Sequence, residues 1–407
     1  MKHFFLFLLS VGLLFVACKD DDPAPTNPDG KAFRTVIMYM SAENNLSALA
    51  DPDTSEMVKG TKTLAENCNF IVFLDKAENA VPSLWKFEGG KRILLKEYEA
   101  DFLNCDPEKV YEIISGVISD YPAQSYALAL WGHASGWCIE NDSVETTRDN
   151  SPRRAYGRDT GNNSRNPNNV GKWINIPTMA KMLKRLNTKF DFIFCDCCNM
   201  ANAETAYELR DVTDYLVGSP AEIPGFGAPY DLIMQSFFNS NVLSGCQEIV
   251  DTYHKDYDGH LPLSIIKMSE MSQLANATRV ILQTIEPTAD KLLDLNGLMY
   301  YDGSRSLNLR CLYDMNDFLL QNAPADEYAQ WKQSLDRAVI YKKNAPYWQS
   351  NGHVEFTNFT STDEKYGGIS MHVPRKSYDN FSYSKNFNPA YSKMQWYWVV
   401  NWDSYGW

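Results

Sequence analysis

Ser125-Tyr126-Ala127-Leu128-Ala129-Leu130-Trp131 runs without a break into Gly132-His133-Ala134-Ser135-Gly136-Trp137. The first seven residues carry no charge and lie between Pro122 and Gly132. Their length and boundaries predict a strand buried on both faces. A second run of the same kind, Phe190-Asp191-Phe192-Ile193-Phe194, leads directly into Cys195-Asp196-Cys197-Cys198. In open α/β sheets, sites lie at the carboxyl ends of strands, and here two such ends carry a histidine and a cysteine. An imidazole beside a thiol supplies the thiolate that nucleophilic chemistry needs. Cys198 is the best placed of its cluster for the dipole of the helix expected over Ala201–Arg210, and backbone N–H groups at Gly132 and Cys198 are candidate oxyanion donors.

Working outward, Arg34–Met40, Asn69–Asp75 and Tyr215–Gly218 read as further strands, and Leu84–Phe87 with Ile93–Tyr98 as an edge hairpin. Helical spacing marks Ser55–Glu66, Pro107–Asp120 and Ile176–Leu186. Strand and helix alternate, which predicts an α/β sandwich with a mainly parallel central sheet. Later segments read as helices at Leu232–Phe238, Val242–Tyr257, Glu270–Ile285 and Ala325–Tyr341, and as strands at His353–Phe359 and Gly368–Val373. The aromatic segment Trp396–Trp407 is expected to form a strand or hairpin. This gives a core over 33–260 and a C-terminal region, 261–407, packed on it. Residues 140–172 are polar and aperiodic, the signature of a long surface loop.

The chain has 407 residues and, with 38 Lys+Arg against 51 Asp+Glu, a formal net charge of −13. That balance argues against nucleic acid as a partner. Phe4–Val16 is broken only by Ser10 and Gly12, so residues 1–17 have the form of an export signal, too short to span a bilayer. Phe15-Val16-Ala17-Cys18 resembles the lipobox of bacterial lipoproteins, which implies a lipid on Cys18 and a membrane partner through that lipid. Residues 18–32 then form a flexible tether, and Lys19-Asp20-Asp21-Asp22 is similar to the tag that sends some lipoproteins to the outer surface. The expected location is the cell envelope, at the outer membrane. Cys195 and Cys197 read as small buried hydrophobes, and no second cluster with ligand spacing accompanies them. No metal and no cofactor are expected.

Leu130–Trp137 also resembles the histidine motif of the clostripain family of cysteine peptidases, a branch of the caspase-like clan. Phe192–Leu209 is similar to that family's cysteine motif, with Asp196, Cys198, Met200, Glu204, Ala206 and Leu209 on the pattern. Family-like stretches also occur at Tyr39–Leu46, Tyr313–Phe318 and Gly367–Pro374. The resemblance implies a caspase-like fold and an endopeptidase acting on protein or peptide substrates. His133 would be the general base and Cys198 the nucleophile. Family members commonly cleave after Arg or Lys, so Asp196 is the implied acid for a basic P1 side chain and Glu222 a candidate second one. Self-cleavage in the loop after the histidine strand points to Arg153 or Arg154. Cys195, Cys197, Asn199 and Ala201 depart from the family pattern. Those departures favour the alternative, an inactive surface lipoprotein that uses the scaffold to bind protein or glycan.

Overall fold

The computed structural model describes residues 31–77, 80–137, 155–161, 171–287, 295, 297–301, 310–348, 360–380 and 386–407. In chain order the strands are β1 (Ala32–Ala42), β2 (Cys68–Lys76), β3 (Ser83–Glu88), β4 (Lys91–Glu97), β5 (Ala123–Gly132), β6 (Tyr156–Asp159) and β7 (Lys172–Ile174). They continue with β8 (Phe190–Asp196), β9 (Thr213–Gly218), β10 (Leu263–Lys267), β11 (Tyr313–Asp314), β12 (Val339–Lys343) and β13 (Ser370–Met371).

Nine of these build one sheet in the order β12-β10-β9-β8-β5-β1-β2-β3-β4. The central strands β2, β1, β5, β8 and β9 are all parallel, and antiparallel strands finish both flanks. Alternation along the strands divides the core in two. In β1, Ile37 and Tyr39 enter one core while Val36, Met38 and Met40 enter the other, and in β5 Leu128 and Leu130 oppose Ala127, Ala129 and Trp131. Helices Pro107–Asp120, Ile176–Arg185 and Met271–Ile285 cover the first face, and Ala50–Gly60 and Val242–Asp256 the second. The expected α/β sandwich is the fold found.

Local chemistry explains why the elements sit where they do. Asp106 caps the helix Pro107–Asp120, its carboxylate accepting from the N–H groups of Glu108 and Lys109 at 2.8 and 3.3 Å. Such a cap stabilises by about 1 kcal/mol, and Pro107 occupies a first-turn position that needs no donor. Val110, Ile113, Ile114 and Val117 then form the buried stripe against the sheet.

Several expectations need correction. The helix expected to reach Tyr341 stops at Ala338, and the residues after it form edge strand β12. Val339-Ile340-Tyr341 is β-branched and aromatic, and here that preference outweighs helical continuity. Strand β10 has no counterpart among the sequence expectations. It is only five residues long, with Ile265 and Ile266 buried in opposite cores. Trp396–Trp407 is helical, with an α-turn at Gln395–Val399 and a 3₁₀ turn at Trp402–Tyr405, and Trp396 and Trp402 are fully buried. Their tertiary burial overrides the β propensity of the aromatics. Leu232–Phe238 breaks into a short α-turn, Tyr230–Ile233, and a 3₁₀ turn, Ser236–Phe238. Segment 261–407 supplies β10 and β12 to the main sheet and helices to its face. The expected strand His353–Phe359 lies outside the described residues, and no helix among those described is long and apolar enough to cross a membrane.

Candidate active site

His133 and Cys198 leave the sheet side by side. Strands β5 and β8 are parallel neighbours with Trp131 opposite Asp196. His133 lies two residues past Trp131 and Cys198 two residues past Asp196, on strands that run about 4.8 Å apart. Gly132 makes the exit possible. Its φ is +137°, and a Cβ there would lie 2.8 Å from the Ser41 carbonyl of β1.

The two loops then pack on each other. Gly136, at φ +72°, leaves room for the second loop, since a Cβ there would lie 2.7 Å from the Asn199 carbonyl and 2.5 Å from Asn202 Nδ2. Asn199, immediately after Cys198, is itself left-handed at φ +58°. Its N–H donates to the Ala221 carbonyl at 2.9 Å, its carbonyl accepts from Asn202 Nδ2 at 2.7 Å, and Asn202 Oδ1 caps the next helix through Thr205 N–H at 2.7 Å. That helix spans Ala203–Leu209, so it starts after a four-residue turn. The expected start at Ala201 is therefore corrected to Ala203. The half-buried Sγ instead meets the Ile223 N–H at 3.4 Å.

His133 is half-buried, and its carbonyl accepts from the Gly157 N–H of β6 at 2.9 Å. Its Nε2 lies 2.9 Å from Asn45 Oδ1. The amide oxygen only accepts, so Nε2 carries the proton and the basic lone pair is at Nδ1. Trp173 of β7 lies beside the imidazole, with ring centroids 6.3 Å apart. Asn45 stands in a family-like stretch but has no role in the sequence reading, and neither the Ile223 N–H nor Trp173 is foreshadowed there at all. All three come from segments that only the fold brings to His133 and Cys198.

Asp196 points to the opposite face from Cys195 and Cys197, which are buried in the first core. Its Oδ2 accepts from Tyr230 OH at 2.5 Å and Ala228 N–H at 3.0 Å, and its Oδ1 from Tyr253 OH at 2.7 Å. The carboxylate is only 3% exposed. Burial raises its pKa while the two tyrosines and the Ala228 N–H act against that rise. Asp53 is its neighbour across Gly227, where a Cβ would lie 2.7 Å from Asp53 Oδ2 and 2.8 Å from Asp196 Oδ2. Trp131 Nε1 donates to Asp53 Oδ2 at 2.6 Å. Glu222 is half-exposed, between Ala221 and Ile223, the two residues bonded to Asn199 and Cys198. Arg153, Arg154, residues 1–17 and Cys18 lie outside the described residues.

Burial, then Asp196, pushes Asp53 up to about 8, although the Trp131 bond opposes the shift. A carboxyl with a higher pKa folded than unfolded loses stabilising effect as pH rises from about 4 to about 8. Asp53→Asn, whose amide oxygen keeps the Trp131 bond, removes that loss. Melting temperatures of the two proteins should diverge across this window in favour of the variant and run parallel above it. A constant difference from pH 4 to 9 would contradict the assignment.

Two further family-like stretches meet behind the cysteine loop. Strands β11 and β13 pair through Tyr313 with Met371 and Asp314 with Ser370, and Ser370 N–H donates to the Ala201 carbonyl at 3.0 Å.

Comparison with known proteins agrees with this geometry. A sequence profile of the clostripain family matches residues 38–407. Clostripain of Hathewaya histolytica is 23% identical over 445 aligned residues, covering 91% of this chain and 80% of that protein. A secreted C11 cysteine protease from Bacteroides thetaiotaomicron, solved with an irreversible peptide inhibitor, superposes with a TM-score of 0.73 at 28% identity, over 92% of this chain and 100% of its own. An inactive zymogen C11 protease from Parabacteroides distasonis gives 0.72 at 27% identity, over 93% and 99%. With a family match over nearly its whole length and the same fold as solved relatives, this chain belongs to the clostripain family and is a C11 cysteine protease.

Proposed function

We propose that the protein is an endopeptidase that works through a Cys198–His133 dyad and prefers Arg or Lys at P1. The observation that carries this reading is the matched exit of both residues from adjacent parallel strands, with their loops in contact. His133 Nδ1 takes the Cys198 proton, and the thiolate attacks the scissile carbonyl. His133 then gives that proton to the leaving amine, and water, deprotonated by the same imidazole, resolves the acyl-enzyme. The Ile223 N–H at Sγ favours the thiolate. The backbone N–H groups of Gly132 and Cys198 are assigned to the oxyanion, Asp196 to the P1 cation and Glu222 to the rim of that pocket. Self-cleavage at Arg153 or Arg154 is the proposed maturation step. The N-terminal apolar run and Ala17-Cys18 support export and lipid anchoring at the envelope.

Asn45 supplies the experiment. Asn45→Ala releases the imidazole from its tautomer, so kcat/KM on an Arg-ended fluorogenic peptide should fall by about 10²-fold. The loss should lie in kcat, and the acid limb of the pH profile should move. An unchanged profile with unchanged kcat would remove His133 Nδ1 from the base role.

A further inference from the structure

A turn beside the site exposes an apolar side chain for which the fold has no use. The segment after β9 passes Cys198 at Ile223, whose N–H lies 3.4 Å and whose carbonyl lies 3.9 Å from Sγ. The next four residues, Pro224-Gly225-Phe226-Gly227, form a β-turn closed by the Gly227 N–H on the Pro224 carbonyl at 3.2 Å. Gly225 and Phe226 are its tip, and Phe226 is 71% exposed.

Turn tips favour Gly, Asn, Asp and Ser, which suit the tight backbone and meet water readily. A phenyl ring there leaves in water the apolar surface whose burial would stabilise the chain. The backbone on both sides of the ring is held in place, so the turn presents it in a fixed position. A Cβ on Gly225 would lie 3.0 Å from Leu49 Cδ1 and 3.8 Å from Leu46 Cδ2. The Gly227 carbonyl accepts from Tyr257 OH at 2.9 Å, and the close approach of Gly227 to Asp196 ties the turn to the P1 acid. Leu46, Leu49 and Ile223 pack on the second core yet stay half-buried. Phe226 is therefore the most exposed member of a small apolar face that borders the site.

The sheet order decides which half of a peptide meets this face. Strand β8 lies between β9 and β5, so the β9 loop stands on the flank of Cys198 away from His133. The leaving amine must reach the imidazole, which places the acyl half of the peptide on the β9 flank, along Ile223 and Phe226. We infer that Phe226, with Ile223, binds an apolar side chain of the substrate one or two residues before P1, so that the enzyme selects basic residues preceded by an apolar one. The position of this subsite along the peptide rests on the proposed dyad and P1 acid.

Arg-ended coumarylamide peptides that carry Leu or Ser at each of the two positions before Arg read the subsite. At one of those positions Leu should give a kcat/KM about tenfold above Ser, and Phe226→Ala should bring that ratio to within about twofold, while Phe226→Leu keeps most of it. Fluorescein-labelled peptides of the same sequences, titrated into Cys198→Ala and followed by anisotropy, measure the selectivity without chemistry. The Leu peptide should bind more tightly, and adding Phe226→Ala should remove the difference. A Leu preference in binding, with no turnover of any peptide, would contradict the endopeptidase reading and uphold the subsite. Equal turnover and equal binding of Leu and Ser peptides, or a preference that Phe226→Ala retains, overturns the subsite. Wild-type self-association that Phe226→Ala abolishes, alongside unselective turnover and binding, gives the face to a second copy of the chain and overturns it as well.

Discussion

Cys198→Ala is expected to lower kcat/KM on an Arg-ended peptide by at least about 10⁴-fold, to the uncatalysed background, while the fold is retained. No other described cysteine can take over. Cys68, Cys105, Cys195, Cys197, Cys246 and Cys311 are buried, whereas Cys198 is half-buried. Burial pushes the Cys68 thiol up to about 11 and Cys246 up to about 12, and it also raises Cys105 and Cys197. A thiolate is the reactive species, so these buried thiols are poor nucleophiles. The small, partly exposed truncation should leave the melting temperature nearly unchanged. The variant should also stay full length on a denaturing gel where wild type is cut at Arg153 or Arg154. Activity within tenfold of wild type would remove Cys198 from the nucleophile role.

Asp196→Asn is expected to cut kcat/KM for Arg- and Lys-ended peptides by about 10²–10³-fold while changing neutral P1 peptides by less than about tenfold. Asparagine keeps the shape and its Oδ1 can still accept from Tyr230 and the Ala228 N–H, while its Nδ2 donates to the Tyr253 oxygen instead of accepting, so the substitution removes the charge with little change in packing. Leaving a buried cation without its counter-charge costs about 3–5 kcal/mol, which sets the size of the effect. Among the described residues Asp196 Oδ1 accepts only from Tyr253. A carboxylate oxygen has capacity for a second donor, such as a guanidinium or ammonium. Peptides ending in Arg, Lys, Ala and Leu, assayed in parallel, provide the comparison. An equal loss on all four would make Asp196 a structural acid that holds the two tyrosines.

The sheet was legible because a parallel centre buried on both faces writes itself as apolar runs with charge confined to their ends, and Arg34–Met40, Asn69–Asp75, Ser125–Trp131 and Phe190–Phe194 all fall within strands. His133 was legible as the first titratable side chain past one such run, and Cys198 as the last of the cysteine cluster that follows another, nearest the helix after it. What escaped lacks a periodic signal. Strand β10 is too short to be told from the start of a helix, and the tryptophans at the C-terminus turn helical only because the core they enter fixes them. Asn45 and Ile223 act through one side-chain oxygen and one backbone N–H, groups that any sequence offers in abundance. The family-like stretches at Tyr39–Leu46, Tyr313–Phe318 and Gly367–Pro374 acquire meaning in space. The first carries Asn45 to His133, and the other two pair behind the Cys198 loop.

Hydrolysis by the proposed route requires Cys198 to be the thiol that His133 activates toward a substrate with a basic P1 side chain. Its most direct test is mass analysis of the protein after incubation with an Arg-ended peptidyl chloromethyl ketone, followed by mapping of the modified residue. A single adduct on Cys198, formed at least about 10²-fold more slowly in His133→Ala, is the predicted result. An adduct on another residue, or equal rates in wild type and His133→Ala, would contradict it.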